Sequence, residues 1–313
     1  MDKPVKDISS KHLNPFQESA DEKVQTKAPS KLGAATLQFV TELAADLDKA
    51  DFDLPPFPDT AAKVQKVIRD PSANNHSLAA IVATEPALAA RLMRMANSAM
   101  MRRGPIEVMD IPTAISRVGM DMVQNAAVSF AAREAFKVPP GAPGNPCVNE
   151  LKNLRRISVR VAAIAYLLSK HVRSVRKPDE AMLAGLLHCV GKFYIFSKAR
   201  DHPDLFVDRE ALDRLVAQWH TGVARAIVES WQFPDTIALA VDEQELKHRD
   251  RNGTADLSDI LFVANMIARA GVNAAEHLGD IDALQRMGIN AEKLHAILLE
   301  GEEDMQSMES AMI

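Results

Sequence analysis

The apolar residues of this 313-residue chain fall at helical spacing almost from end to end. Leu32, Phe39, Val40, Leu43 and Leu47 make one stripe, and Leu88, Leu92, Met95 and Ala96 another. Leu257, Ile260, Leu261, Ala264, Ile267 and Ala268 make a third. Intervals of three and four collect side chains on one face of a helix, whereas a half-buried strand needs strict alternation. No segment alternates with period two between Asn-Gly or Asp-Gly turns, so nothing offers itself as a sheet. Ala, Leu, Val, Ile and Met dominate and aromatics reach only 5%. With 47% hydrophobic residues the chain can bury a sizeable core. The expectation is an all-α fold, a multi-helix bundle in two lobes.

Local punctuation divides it. Residues 1–30 are polar and read as a disordered tail, because they bury too little apolar surface to offset the entropy of ordering. Residues 31–137 form an N-terminal helical lobe. Val138-Pro139-Pro140-Gly141-Ala142-Pro143-Gly144-Asn145-Pro146 is the strongest linker signal, placed at 138–148. Residues 149–300 form a second helical lobe, and 301–313 an acidic, Met-rich tail expected to fray. Within the lobes, Ser77 is expected to cap one helix and Pro86 to open the next. Gly119, Gly271 and Gly301 are expected to stop helices, and Asn290 to cap one. One uninterrupted helix is expected from Asp179 to about Lys198. Another is expected to end near Trp219 and His220, with a fresh helix running on to Trp231.

Several classes of protein are excluded early. Cys147 and Cys189 cannot make a disulfide framework and belong to no Cys-x-x-Cys motif. Cys147 falls in the linker with no basic neighbour to activate it. The first residues lack the apolar stretch of a signal peptide, and the longest apolar run, Val161 to Leu168, is too short to span a bilayer. A cytoplasmic protein without membrane insertion is expected. The net charge of −5 is too mild to name a partner.

An ordered set of motifs resembles a known family. Leu54-Pro55-Pro56-Phe57-Pro58, Glu85-Pro86 through Asn97-Ser98 and Ile115-Ser116-Arg117-Val118-Gly119 resemble the N-terminal lobe of HD-related output domains. Ala181 through Lys192, with Leu186-Leu187-His188-Cys189-Val190-Gly191-Lys192 at its end, resembles the helix that carries that family's Leu-Leu-His-Asp-Ile-Gly-Lys. His220-Thr221-Gly222 and Trp231-Gln232-Phe233-Pro234 are similar to its later motifs. The resemblance covers about residues 54–245 and implies a bundle of short helices followed by an HD-like helical core. It also implies a bacterial signalling setting, generally without established catalysis.

The resemblance further implies where a metal would have been held. True HD phosphohydrolases use a first His, a His-Asp pair and a later Asp, because divalent ions want carboxylate oxygens and imidazole nitrogens. On this chain those slots match Ile157, His188-Cys189 and Asn265. The ligand set is therefore incomplete, and no enzyme activity, metal or cofactor is expected. His188, Cys189, His220 and Asn265 remain as a vestigial pocket, in which Cys and His could still attract zinc or merely pack and hydrogen-bond. His220 is read as a helix-end residue satisfying terminal carbonyls, and Asn97 and Ser98 as a helix end.

Charge supplies the remaining signal. Lys152, Arg155, Arg156, Arg160, Lys170, Arg173, Arg176 and Lys177 crowd one stretch, while the chain from Asp242 onward is acidic. The expected function is a non-catalytic regulatory or scaffold protein acting through protein contacts, with Arg155, Arg156, Arg173, Arg176 and Lys177 as the candidate interaction surface. The competing reading is an internal contact with the acidic C-terminal part. Two alternative functions stand beside it. One is nucleic-acid binding through the basic clusters, without the aromatic platform that stacks bases. The other is nucleotide sensing or weak hydrolysis in the degenerate pocket. The partner and the oligomeric state are not readable from the sequence.

Overall fold

The protein is described here from a computed structural model. It covers residues 38–43, 45, 59–102, 104–135, 146–175, 177–199, 202–249, 253–271 and 281–312. The expected N-terminal tail, most of the linker and Arg176 lie outside the described residues. Among those described there is no strand. The first lobe contains α1 (Asp59–Ile68), α2 (Asn75–Ala83), α3 (Pro86–Asn97), α4 (Ile111–Val118) and α5 (Met120–Ala135). A long helix, α6 (Pro146–His171), follows, and it begins inside the expected linker, so Cys147 is helical. Then come α7 (Pro178–Leu187), α8 (Val190–Ala199), a 3-10 turn at Pro203–Phe206, α9 (Arg209–Ser230) and α10 (Asp235–Glu243). The chain closes with α11 (Leu257–Ala270), α12 (Asp282–Met287), α13 (Ala291–Glu300) and α14 (Glu302–Met312).

The helix ends show why these boundaries fall where they do. Pro86 stands at the first position of α3, where its missing N–H costs nothing. Gly119 and Gly271 end α4 and α11 at φ of 90° and 89°, a region that favours glycine. Asn290 caps α13 through its side chain. At α2 the expected cap is corrected by three residues. Asn74 is the cap, and Ser77 answers from the third position by accepting from the Asn74 backbone N–H, which makes a capping box. Asn97 does not cap α3 but pins a distant loop, donating to the Val108 carbonyl and accepting from its N–H.

Two cores share α6. Ile164, Leu168, Leu187, Tyr194, Val223 and Ile260 belong to the larger core of the second lobe, together with Phe39 and Leu43 from the N-terminal segment. Val159 and Ala162 on another face of α6, with Met182 and Leu186 of α7, join the first lobe's Leu88, Leu92 and Met122. The lobes are also tied by polar contacts. Gln65 of α1 donates to the Trp231 carbonyl at 3.3 Å, and Arg69 donates to both the carbonyl and the side-chain oxygen of Gln232.

The expected fraying tail is corrected outright. Residues 302–312 form α14, whose Met305, Met308, Ala311 and Met312 are buried, the last three against the first lobe. Methionines three and four apart make one apolar face, and the acidic residues occupy others. Glu302 and Glu309 meet Arg160 of α6 at 3.9 and 2.9 Å. Part of the basic stretch therefore is an internal contact.

Asp179, in the first turn of α7, carries a pH-dependent penalty. Burial pushes its carboxyl up to about 6, and the charge of Asp121 adds to the effect while Lys170 opposes it. A folded-state pKa above the unfolded value means that the native chain holds this proton more tightly. Stability therefore falls as pH rises from about 4 through about 6, and the penalty is complete above that. Asp179→Asn is expected to melt higher than the parent at pH 7.5 and no higher at about pH 3, below both pKa values, as differential scanning calorimetry would show.

Candidate functional site

The dyad sits at a helix break, not within the single helix expected between Asp179 and Lys198. α7 ends at Leu187 and α8 starts at Val190, so His188-Cys189 forms the corner between them. No Gly or Pro occupies the corner. Tertiary contact holds it: Gln244, just beyond α10, donates to the His188 carbonyl at 2.9 Å and to the Val241 carbonyl at 2.7 Å. The carbonyl left without a helical partner is thereby satisfied.

His188 is fully buried and both ring nitrogens are engaged. Nδ1 lies 2.7 Å from the Gly185 carbonyl, which can only accept, so Nδ1 carries the proton. Nε2 is then a bare acceptor, and the Cys189 thiol donates to it across 3.0 Å. Burial pushes the imidazole pKa down to about 3, helped by Lys192, Arg269 and His220 against the Gly185 hydrogen bond. Burial likewise pushes the Cys189 thiol up. The pair is neutral and lacks the thiolate that nucleophilic or metal-binding cysteine chemistry needs.

His220 corrects a second expectation. α9 runs unbroken from Arg209 to Ser230, so His220 lies in mid-helix and does not serve terminal carbonyls. Its Nε2 stands 3.1 Å from Glu245, close in distance but off-line as a hydrogen bond. Glu245 is also met by Lys192 at 3.4 Å and Arg269 at 2.8 Å. Burial works against ionisation of Glu245, but its contacts with His220, Lys192 and Arg269 outweigh it and hold the carboxyl well below its usual range. Burial lowers His220 too, against the Glu245 contact, so the imidazole is neutral and the two cations carry the balancing charge. Asn265 of α11 completes the site, with Nδ2 3.5 Å from Gln244 Oε1. Its own Oδ1 is buried without a hydrogen-bond partner among the described residues.

The four expected pocket residues thus share one polar seam. The residue of α6 beside the dyad is Ser158, whose hydroxyl donates to the Leu154 carbonyl at 2.9 Å, while Ile157 packs against the core. Gln244, Glu245 and Arg269 were not foreseen. They end or follow amphipathic helices, where a polar residue normally faces water.

The fold implies a divalent metal, and the donors here do not fit one. His188 Nε2 already accepts from a thiol, the slot of the bridging carboxylate holds that thiol, and Asn265 offers a neutral amide. Lys192 and Arg269 bring two positive charges to the same place, where a cation would be repelled. Among the described residues no group of three or more His, Cys, Asp or Glu is arranged to hold a metal.

The candidate interaction surface does not come together. Arg155 and Arg156 lie near the start of α6, whereas Arg173 and Lys177 follow its end, roughly 25 Å away at 1.5 Å per residue. Lys177 pairs with Glu180 at 3.0 Å, and Arg156 donates to Asn153. No helix among the described residues is long and apolar enough to cross a membrane.

An all-α protein of two helical lobes, with a His at a helix corner where a metal dyad would sit, defines an HD-like class. The HDOD domain model matches residues 54–246, and the chain belongs to that family. A solved protein of Shewanella amazonensis SB2B, provisionally named a metal-dependent phosphohydrolase, is 23% identical with a TM-score of 0.70, covering 90% of this chain and 100% of that one. An HDOD domain protein with unknown function from Geobacter sulfurreducens is 22% identical, with a TM-score of 0.63 over 89% and 97%. A Marinobacter aquaeolei VT8 protein, provisionally named a signal transduction protein, is 20% identical, with a TM-score of 0.61 over 88% and 66%. At these identities the likeness is one of fold. An uncharacterized protein of Treponema pallidum (strain Nichols) is 23% identical over 242 residues, 73% of this chain and 45% of that protein. The chain thus spans under half the length of that curated relative.

Proposed function

We propose that this chain is a non-catalytic regulatory or scaffold protein of bacterial signal transduction, acting through protein contacts. The observation that carries the reading is the closed dyad, with His188 Nε2 engaged by the Cys189 thiol at 3.0 Å. A hydrolase needs that nitrogen on a metal and an open coordination position for an activated water. Membership of the HDOD family and a fold shared with a protein named for signal transduction support the signalling context. The exposed docking surface is the turn after α6, where Arg173 is exposed and the Lys177 side chain keeps 73% of its accessibility. Exposed charge of one sign steers an acidic partner and sets its association rate.

Two measurements test this. With Mg²⁺ or Mn²⁺ added, the chain is expected to show no turnover of phosphomonoesters, cyclic mononucleotides or cyclic dinucleotides, and Cys189→Asp is expected not to create any. Metal-dependent turnover lost in His188→Ala would overturn the non-catalytic reading. Charge reversal in Arg173→Glu/Lys177→Glu is expected to leave the melting temperature unchanged and to remove co-purifying partners. Partners retained at moderate salt would overturn the docking surface. Nucleic acid retained with steep salt dependence would replace the protein partner with a polyanion.

A further inference from the structure

α14 lies across both lobes and packs on α3 and α6. Met305 belongs to the core of the second lobe, and Met308, Ala311 and Met312 belong to that of the first. Its Ser307 hydroxyl accepts from the Ala99 N–H, just past α3, at 2.8 Å. Only Gly301 separates it from α13, whose Leu294, Ile297 and Leu298 are anchored in the second lobe. α14 is thus a strap over the lobe boundary, joined to α13 by one residue.

The seat fits this strap imperfectly. Glu302 and Glu309 share the guanidinium of Arg160, at 3.9 and 2.9 Å. Glu302 Oε1 also accepts from Gln306, whereas Oε2 is buried with no hydrogen-bond partner among the described residues. A buried carboxylate oxygen left unserved counts against the docked state. Burial pushes the Glu309 carboxyl up, against the pull of Arg160 and Arg156 and with the Glu302 charge adding to it. The seat is also underfilled at one end, where a cavity of about 360 Å³ opens beside Met312, with Val159 and Leu186 in its wall. Methionine adapts readily to an irregular gap. Off the seat, eleven residues are too few to stay helical in water.

We propose that the seat of α14 is a docking groove for an acidic amphipathic helix of a partner protein, and that α14 is its resident competitor. The partner helix carries apolar anchors at the spacing of Met305, Met308 and Met312, with a carboxylate placed for Arg160. A side chain larger than methionine takes the space beside Met312. Such anchors three, four and seven apart are how a helix is read by a groove. The tether gives α14 an effective concentration on the order of millimolar, which a foreign helix must outbid. Filling the cavity and leaving no carboxylate oxygen unserved supplies that advantage. The groove is distinct from the charged turn at Arg173 and Lys177, so the inference goes beyond the docking surface proposed above.

Hydrogen–deuterium exchange of the full chain tests the strap. Amides of α14 are expected to exchange at least about tenfold faster than those of α6 and α9, because a weakly held element opens locally. Exchange of α14 in step with α6 would overturn it. Glu309→Gln breaks the ion pair with Arg160 and should speed α14 further while leaving α9 unchanged. Fluorescence anisotropy tests the groove, using a labelled peptide of residues 302–312 and the same peptide with Met312→Trp. Both should bind the Glu309→Gln chain at least about tenfold tighter than the parent, the Met312→Trp form more tightly of the two. Adding Arg160→Gln to that chain should weaken both about tenfold. Binding of neither peptide, or binding undiminished by Arg160→Gln, would overturn the groove. A concentration-dependent dimer promoted by Glu309→Gln would assign the groove to α14 of a second copy and overturn the foreign partner. None of these outcomes bears on partner capture at Arg173 and Lys177.

Discussion

Gly191→Ala is expected to cost about 3 kcal/mol or more of stability, at or above the upper end of ordinary overpacking. Gly191 lies in α8 where that helix crosses α9. A Cβ built on it would fall 2.0 Å from the His220 carbonyl oxygen and 2.8 Å from the Ala224 nitrogen. These are backbone atoms of a regular helix, so no rotamer change can make room. The two helices would have to part, opening the core that holds Tyr194 and Val223. Gly222 supplies the control. It is exposed on α9 and has nothing within 4 Å of a built Cβ. Gly222→Ala should instead stabilise by roughly 0.5–1 kcal/mol, because alanine is the better helix former. Urea denaturation of both variants checks the pair. Equal effects would show that the α8–α9 approach is not tight.

Asp259→Ala is expected to cost about 3–5 kcal/mol, a large share of the roughly 5–15 kcal/mol that holds a domain folded. Asp259 is 1% exposed in the first turn of α11. It accepts from Arg249 at 3.0 Å, from Arg286 at 2.7 Å and from the Asp256 N–H at 3.2 Å. Arg249 is itself buried and reaches Glu243 and Asp256, both at 2.7 Å. The network ties the end of α10, the start of α11 and α12 around one carboxylate. Removing it strands the Arg286 guanidinium on α12 and takes from the buried Arg249 one of its three carboxylates. The half-exposed pair of Arg225 and Asp242, 3.0 Å apart, is the contrast. Asp242→Ala should cost no more than about 1 kcal/mol, since water screens such pairs. Chemical denaturation of the two variants side by side would read the difference, and similar losses would contradict the burial argument.

Local signals in the sequence located most helix ends and misread two helix continuities, for opposite reasons. Gly119, Gly271 and Asn290 act on their own backbones, so their roles are visible in the residue type. The corner at His188-Cys189 has no breaker residue, because Gln244, 56 positions away, stabilises it. His220 suggested a helix end only through its polarity, whereas α9 simply continues and buries the ring against Glu245. Met305, Met308 and Met312 had helical spacing, but the acidic residues around them read as a tail. Two of those acids, Glu302 and Glu309, meet Arg160, which the sequence could not show to be near. Of the site, His188, Cys189, His220 and Asn265 were legible through a family motif and do meet. Glu245 was not, since a carboxylate after an amphipathic helix reads as surface. The basic stretch was legible as charge but not as geometry, because α6 carries its two ends far apart.

Metal content tests the closed dyad most directly. Protein purified without chelator, and then exposed to Mn²⁺, Fe²⁺ or Zn²⁺ before desalting, can be measured by inductively coupled plasma mass spectrometry. With His188 Nε2 held by the Cys189 thiol and Lys192 and Arg269 gathered at Glu245, the chain should retain far less than one ion. His188→Ala should retain no less than the parent. One or two ions per chain, lost in His188→Ala, would contradict the closed site.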